Sequence, residues 1–232
     1  MISIVADVTS KDDLKRIAYQ VEQEQGYINI LSIPVIAILH LMFIVTNSGT
    51  GGPSMNPVKP QMSDDIAALQ KHLWEPEFDA FQATFSTNVT AVYFCTVAFL
   101  TLLHAGTQKF LEKSGYGSQI IVISSISGYS KQIQGSIAYS ASKAAATHLA
   151  RNLSTYLINL QIRVNVIVPG LHPSEMTGST MSDERGHVSM KGMEKSWDDV
   201  PAQRPGMERE IAGLGVFLAR YLSILYLFLV DV

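Results

Sequence analysis

Two runs of this chain constrain its fold more than any other feature: SQIIVISSISG at 118–128 and IRVNVIVPG at 162–170. A strand covered on one face alternates apolar and polar residues, whereas unbroken Ile and Val imply cover on both faces, the condition of a parallel sheet. Between the two runs, AYSASKAAATHLARNLSTYLI at 138–158 reads as a long helix, so the stretch has the form strand, crossover helix, strand. Upstream, ISIVADV at 2–8 is a short β-type run. SKDDLKRIAYQVEQEQG at 10–26 follows it with a Ser cap, early acids, helically spaced apolar residues and a closing Gly. An apolar segment then ends in the turn-rich TNSGTGGP at 46–53, and a helix-like region covers 78–103. Repeated strand-then-helix units predict an α/β, doubly wound parallel sheet.

At 232 residues, 47% hydrophobic and 16% charged, the chain is sized for a single domain over 1–232. A net charge of −3 and a pI near 6.1, with Lys and Arg scattered, leave no basic footprint and exclude nucleic acid as an expected partner. The single cysteine, Cys95, lies in the apolar run VYFCTVAFL. It cannot form an intramolecular disulfide and reads as a buried structural thiol, which fits a reducing, cytoplasmic setting. The start of the chain lacks the charged and apolar regions of a secretory signal. The apolar run at 30–45 has sixteen residues and contains Pro34 and His40, short of the roughly 18–20 needed to span a bilayer. The run at 221–230 is shorter and has no basic flank, so both speak against a membrane role.

The chemistry concentrates in YSASK at 139–143. Residues four apart stack on one helical face, so Lys143 sets the electrostatics around the Tyr139 phenol. A free phenol ionises near pH 10, and a neighbouring cation stabilises the phenolate, bringing it toward general acid/base work at neutral pH. The residues between them are small and leave room for a ligand. Ser124 and Ser125 end one buried strand, and Pro169-Gly170 ends the next, at the carboxyl edge where α/β sheets bind ligands. His40, His72, His104, His148 and His187 have no metal-ligand spacing, and no metal site is expected.

DVT at 7–9, TNSG at 46–49, Asn88 in STNVTAVYF, ISSISG at 123–128, YSASK, RVNVIVPG at 163–170 and PSEMT at 173–177 occur in an order and spacing that resembles the short-chain dehydrogenase/reductase family. The resemblance covers about 7–218 and implies a Rossmann-like fold with NAD or NADP as cofactor. It is nearest to reductases of the 3-oxoacyl-acyl-carrier-protein type. By position it makes Tyr139 the general acid/base, and gives Lys143 two tasks, lowering the phenol pKa and binding the nicotinamide ribose. Ser125 becomes the donor to the substrate oxygen, with Ser124 as the alternative one residue away. Asn88 completes the set by helping to hold a water relay to Lys143. For the cofactor it assigns Asp7 and Val8 to the adenine and Asn47, Ser48 and Gly49 to the adenosine side. Pro169, Gly170 and His172 fall beside the nicotinamide, and Ser174 and Thr177 near its carboxamide. The implied reaction is hydride transfer to a small carbonyl or from a secondary alcohol, and the implied assembly is a homodimer.

The departures from that family are equally specific. The TGxxxGxG turn that normally cradles the pyrophosphate is missing, so the sheet is expected to be truncated at its N-terminal strands and, at the other end, at its last strand. The resemblance marks 32–45 as an insertion and 219–232 as an atypical tail. A catalytically inactive family member with weak or no cofactor binding is therefore the alternative function.

Overall fold

The computed structural model describes residues 4–33, 43–45, 49–53, 65–131, 136–172 and 204–219. The first helix, α1 (Lys11–Gln25), starts where the Ser10 side chain accepts from Asp13 N–H and ends at Gly26, whose φ of 74° closes the helix in the left-handed region. It buries Leu14, Ile17 and Val21, one face at helical spacing. Two strands follow, β1 (Ile30–Ile33) and β2 (Phe43–Val45). Asp65 caps α2 (Ile66–Leu73) by accepting from Ala67 and Ala68 N–H.

The helix-like region expected over 78–103 is not one helix. It divides into α3 (Phe78–Phe85), a π-helical turn (Ser86–Thr90) and α4 (Ala91–Ala98), and the chain then bends at Phe99 into α5 (Leu100–Ser114). Phe99 adopts φ −99° and ψ 6° and is fully buried, so packing sets the break where no Pro or Gly does. After it come β3 (Gln119–Ile123), α6 (Ile137–Tyr156), β4 (Arg163–Ile167) and α7 (Glu208–Ala219).

The four strands form one wholly parallel sheet in the order β2-β1-β3-β4. Its faces are covered by different helices. Leu31, Ile120, Val122 and Val164 join a core with Leu14, Val92, Phe99, Ala146 and Leu153, which come from α1, α4, α6 and the bend before α5. Ile30, Ile121 and Ile167 point the other way and pack with Leu218 of α7. A buried polar link reinforces this second face: Asn165 Nδ2 donates to Gln119 Oε1 at 3.0 Å, and Gln119 Nε2 donates to Leu218 O at 2.8 Å. The continuous apolarity of β3 follows from these two layers.

One expectation is revised and another gains structural detail. ISIVADV has the sequence of a strand, but Ile4 to Asp7 are irregular, because the described sheet ends at β2 and offers that segment no partner. The stretch expected as an insertion from residue 32 contains the end of β1 and, at 43–45, a strand paired to it in parallel. The tail at 221–230 lies outside the described residues. Cys95 is buried, and its burial pushes the thiol up to about 12. Among the described residues no single helix is long and apolar enough to cross a membrane. The one bent pair that passes by length and composition, Phe78–Ala98 with Leu100–Lys113, carries Val92, Cys95, Phe99 and Leu103 in the core.

Candidate active site

The adjacent ends of β3 and β4 begin the site. Beyond both strands the ladder continues: Ser124 N–H donates to Ile167 O at 2.8 Å and Ile126 N–H to Pro169 O at 3.0 Å. Ser125 has an extended backbone, and its Oγ accepts from Ser127 N–H at 3.1 Å, capping a single 3-10 turn at Ile126–Gly128. That turn rests directly on α6. A Cβ on Gly128 would meet Ala144 N at 2.8 Å and the Lys143 carbonyl carbon at 2.9 Å, so only glycine permits this approach.

Helix α6 starts at Ser136, whose Oγ accepts from Tyr139 N–H at 3.3 Å. Tyr139 is half-buried in the first turn, and Lys143 lies one turn on, its Nζ 5.6 Å from the centroid of the Tyr139 ring. Lys143 is only 4% exposed and donates from Nζ to Ile123 O at 3.1 Å, the carbonyl at the end of β3. Burial lowers its pKa from the ordinary lysine value to about 8, because removal from water penalises the charged form. Among the described residues no carboxylate pairs with it. Below it, Ser124 Oγ donates to Lys143 O at 2.9 Å and accepts from Thr147 Oγ1 at 2.7 Å, with Thr147 Oγ1 also 3.0 Å from Lys143 O.

Asn88 stands on the π-helical turn and is 3% exposed. Its Oδ1 accepts from Thr50 N–H at 3.1 Å while its Nδ2 donates to Thr50 O at 3.0 Å, an amide-to-backbone pair that pins the segment after Gly49. The second Nδ2 proton goes to Ser142 Oγ at 2.9 Å, and Ser142 Oγ donates to Tyr139 O at 2.7 Å. Gly52 fits against the same corner with φ 73°; a Cβ there would lie 2.9 Å from both Ser136 Oγ and Thr84 Oγ1.

The structure thus draws Ser125, Tyr139, Lys143 and Asn88 into one connected frame at the carboxyl edge. Pro169 and Gly170 border it at the end of β4, where Gly170 is exposed and, among the described residues, a Cβ on it would meet nothing within 4 Å. His172 Nδ1 lies 3.2 Å from Gly170 O, and the backbone closes beside it as Gly206 N–H donates to Leu171 O at 3.0 Å. Gly49 is exposed beyond β2. Asp7 forms a local turn: its Oδ1 accepts from Thr9 N–H and Oγ1 at 2.8 and 2.7 Å, which holds its carboxyl below the usual range. Its own N–H donates to Asp13 Oδ2 at 2.8 Å, so Asp7 serves the start of α1, with Val8 buried beside it. Asn47, Ser48, Ser174 and Thr177 lie outside the described residues.

The short chain dehydrogenase family model matches residues 1–185. The chain belongs to this family. Among its relatives, the short-chain dehydrogenase/reductase PhomF of Diaporthe leptostromiformis is 36% identical over 219 residues, covering 94% of this chain and 68% of that protein. The rhamnolipids biosynthesis 3-oxoacyl-[acyl-carrier-protein] reductase of Pseudomonas aeruginosa is 27% identical over 217 residues, covering 94% of this chain and 69% of the relative. In fold, the Pseudomonas aeruginosa RhlG/NADP active-site complex superposes with a TM-score of 0.70 at 25% identity, covering 95% of this chain and 70% of that one. The chain is therefore an oxidoreductase of the short-chain dehydrogenase/reductase type, with a Rossmann-like parallel sheet of four strands among the described residues.

Within that family frame the two serines separate. Both are buried; the Ser124 hydroxyl is used between Lys143 O and Thr147, whereas Ser125, one residue further along, has an Oγ that accepts from Ser127 N–H. Three members of the frame escaped the sequence reading. Ser142 and Thr147 had a usable signal, since they lie three residues past Tyr139 and four past Lys143 on the same helix. Thr50 had none, because it contributes backbone groups to a residue 38 positions away.

Proposed function

We propose that this protein is an NAD(P)-dependent oxidoreductase that interconverts a carbonyl and a secondary alcohol, with Tyr139 as the proton-transferring group. The observation that carries the reading is Lys143, an ammonium 4% exposed, anchored on Ile123 O and lying 5.6 Å from the Tyr139 ring. A buried cation without a carboxylate is costly to keep, and such groups concentrate where they are used.

The residues present fit the ribose and nicotinamide half of the cofactor. Hydroxyls at Ser125 and Tyr139, the Lys143 ammonium and the open backbone at Gly170 make a donor set suited to sugar hydroxyls and an amide. Pro169 and His172 border this half; by family position alone, Ser174 and Thr177 are proposed as its further contacts and Asp7, Val8, Asn47, Ser48 and Gly49 as those of the adenine and adenosine side. A nicotinamide cofactor bound there would supply a hydride for the carbonyl carbon. The Tyr139 O–H then gives its proton to the carbonyl oxygen, and the phenolate left behind is stabilised by Lys143. Ser125 donates a hydrogen bond to the same oxygen as negative charge grows on it. In the alcohol-oxidising direction each step reverses. Asn88 cannot hold a relay water through its side-chain N–H groups, which are spent on Thr50 and Ser142, so a relay to Lys143 uses the backbone carbonyl of the π-helical turn. In a homodimer, Tyr93 and Val97 of α4, both about half exposed, supply part of the self-pairing face.

The test is reduction of a panel of small ketones and 3-oxoacyl thioesters with NADH and NADPH. Tyr139→Phe removes the proton donor and is expected to lower kcat by about 10²- to 10⁴-fold. Turnover retained by Tyr139→Phe refutes the assignment. The opposing reading, a frame without cofactor affinity, predicts no change in NADH or NADPH fluorescence when either is titrated against the protein into the millimolar range.

A further inference from the structure

We infer that Ser142 is a positioning residue, the joint through which Asn88 holds the helical turn that carries Tyr139. The inference rests on the proposed role of Tyr139. Ser142 has no exposed surface, and its single hydroxyl has one task on each side. It accepts from Asn88 Nδ2 at 2.9 Å and donates to Tyr139 O at 2.7 Å. Asn88 in turn grips both backbone groups of Thr50 at 3.0 and 3.1 Å. The result is an unbroken line of four hydrogen bonds from the segment after β2, through the π-helical turn, to the carbonyl of Tyr139.

Helix propensity cannot replace this line. The first turn of α6 is held to the sheet mainly further along, where Lys143 and Thr147 reach Ile123 and Ser124. Tyr139 lies in the first turn, where Ser136 caps its N–H. Without Ser142 the Asn88 amide keeps its bond to Thr50 O but loses the one that points at α6. One buried N–H is then orphaned and the π-helical turn is free to rotate relative to the phenol. Displacements of about 1 Å near reacting atoms cost about 100-fold in rate.

The experiment compares wild type, Ser142→Ala, Asn88→Ala, the double variant and Tyr139→Phe, each with its thermal midpoint measured. Ser142→Ala is expected to lower kcat by about 10- to 100-fold while KM stays within about threefold, the signature of a lost transition-state alignment rather than lost binding. The limb of its kcat–pH profile set by Lys143, whose pKa burial lowers to about 8, should move by at least about half a pH unit as the packing beside that ammonium changes. The double variant should lose no more than Asn88→Ala alone, because both changes cut one line. In the protein without cofactor, exchange of the Thr50 amide should quicken by about tenfold in Ser142→Ala, since its acceptor Oδ1 is no longer held. If Ser142→Ala does not fold, Ser142→Cys, near in size and weak as a donor, is read by the same four measures. An unchanged kcat, a pH limb that stays in place, or losses that multiply in the double variant overturn the inference. Tyr139→Phe keeps the two failures apart. If it abolishes turnover while Ser142→Ala does not, only the inference falls; if it leaves turnover intact, the reading beneath falls with it.

Discussion

Replacing Lys143 by Met should make the protein more stable and inactive at once. The ammonium is 4% exposed, and burial alone takes its pKa from 10.5 to about 8. Lowering a pKa by one pH unit corresponds to about 1.4 kcal/mol, so holding the charge costs the fold about 3 kcal/mol at neutral pH. Met has a similar unbranched stem and no charge, and it leaves Ile123 O without its donor, at a cost of about 1 kcal/mol. The net expectation is a gain of about 2 kcal/mol at pH 7, or about 4–8 °C in Tm for a chain of this size. The sign with pH follows from proton binding. Between the folded pKa near 8 and the unfolded value of 10.5 the unfolded state holds more protons, so the wild type gains stability as pH rises through that window. Below pH 8 both states are protonated and the whole penalty is present. The advantage of Lys143→Met should accordingly be full at about pH 7 and gone by about pH 10.5. Urea unfolding of both proteins at about pH 7, 9 and 10.5, without cofactor, reads this difference and cancels the other groups that titrate there. A variant destabilised at neutral pH, or an advantage that does not change with pH, refutes the argument that Lys143 is a charge stored at a cost.

Two further substitutions probe the support beneath that lysine. Thr147→Val keeps the volume but removes the hydroxyl 2.7 Å from Ser124 Oγ, and should cost about 1–2 kcal/mol in urea unfolding, with no measurable cost refuting the role. Gly128→Ala places a methyl 2.8 Å from the backbone nitrogen of Ala144 and should cost about 1–3 kcal/mol and lower kcat. Gly213→Ala, in α7 with nothing within 4 Å of its Cβ, is the control and should be neutral or stabilising by up to about 1 kcal/mol.

What could be read in the sequence, and what could not, divides along the range of the interactions. The unit β3–α6–β4 was legible because its signals are local: unbroken Ile and Val, a run of small helix formers, and a Tyr and Lys one turn apart. Helix α1 was legible for the same reason, through Ser10, Asp12, Asp13 and Gly26. The break after Phe85 was not. The run from 78 to 103 has no Pro or Gly, and the π-helical turn exists where the Asn88 side chain meets the backbone of Thr50 from another part of the chain. The turn at Asp7 is local in origin too, since an Asp two residues before a Thr folds back on that residue's N–H and hydroxyl.

The segment 32–45 shows how a departure from a family pattern can still serve the fold. In the doubly wound order 3-2-1-4-5-6, the strands β1, β3 and β4 correspond to the fourth, fifth and sixth. The fourth strand has the first as its other neighbour, and that flank is where β2 pairs, in parallel and in register from Ile30 with Phe43 to Ser32 with Val45. A central strand with one bare side would leave a row of buried N–H and C=O groups without partners. Pairing with 43–45 satisfies them from residues that read, in sequence, as interruption. The same pairing has a consequence for the site. The residue gripped by Asn88 is Thr50, five positions beyond the end of β2, so the anchor of the catalytic frame is fed from this edge strand rather than from β1. Whatever fixes β2 against β1 therefore also fixes the point from which Asn88, Ser142 and Tyr139 take their alignment.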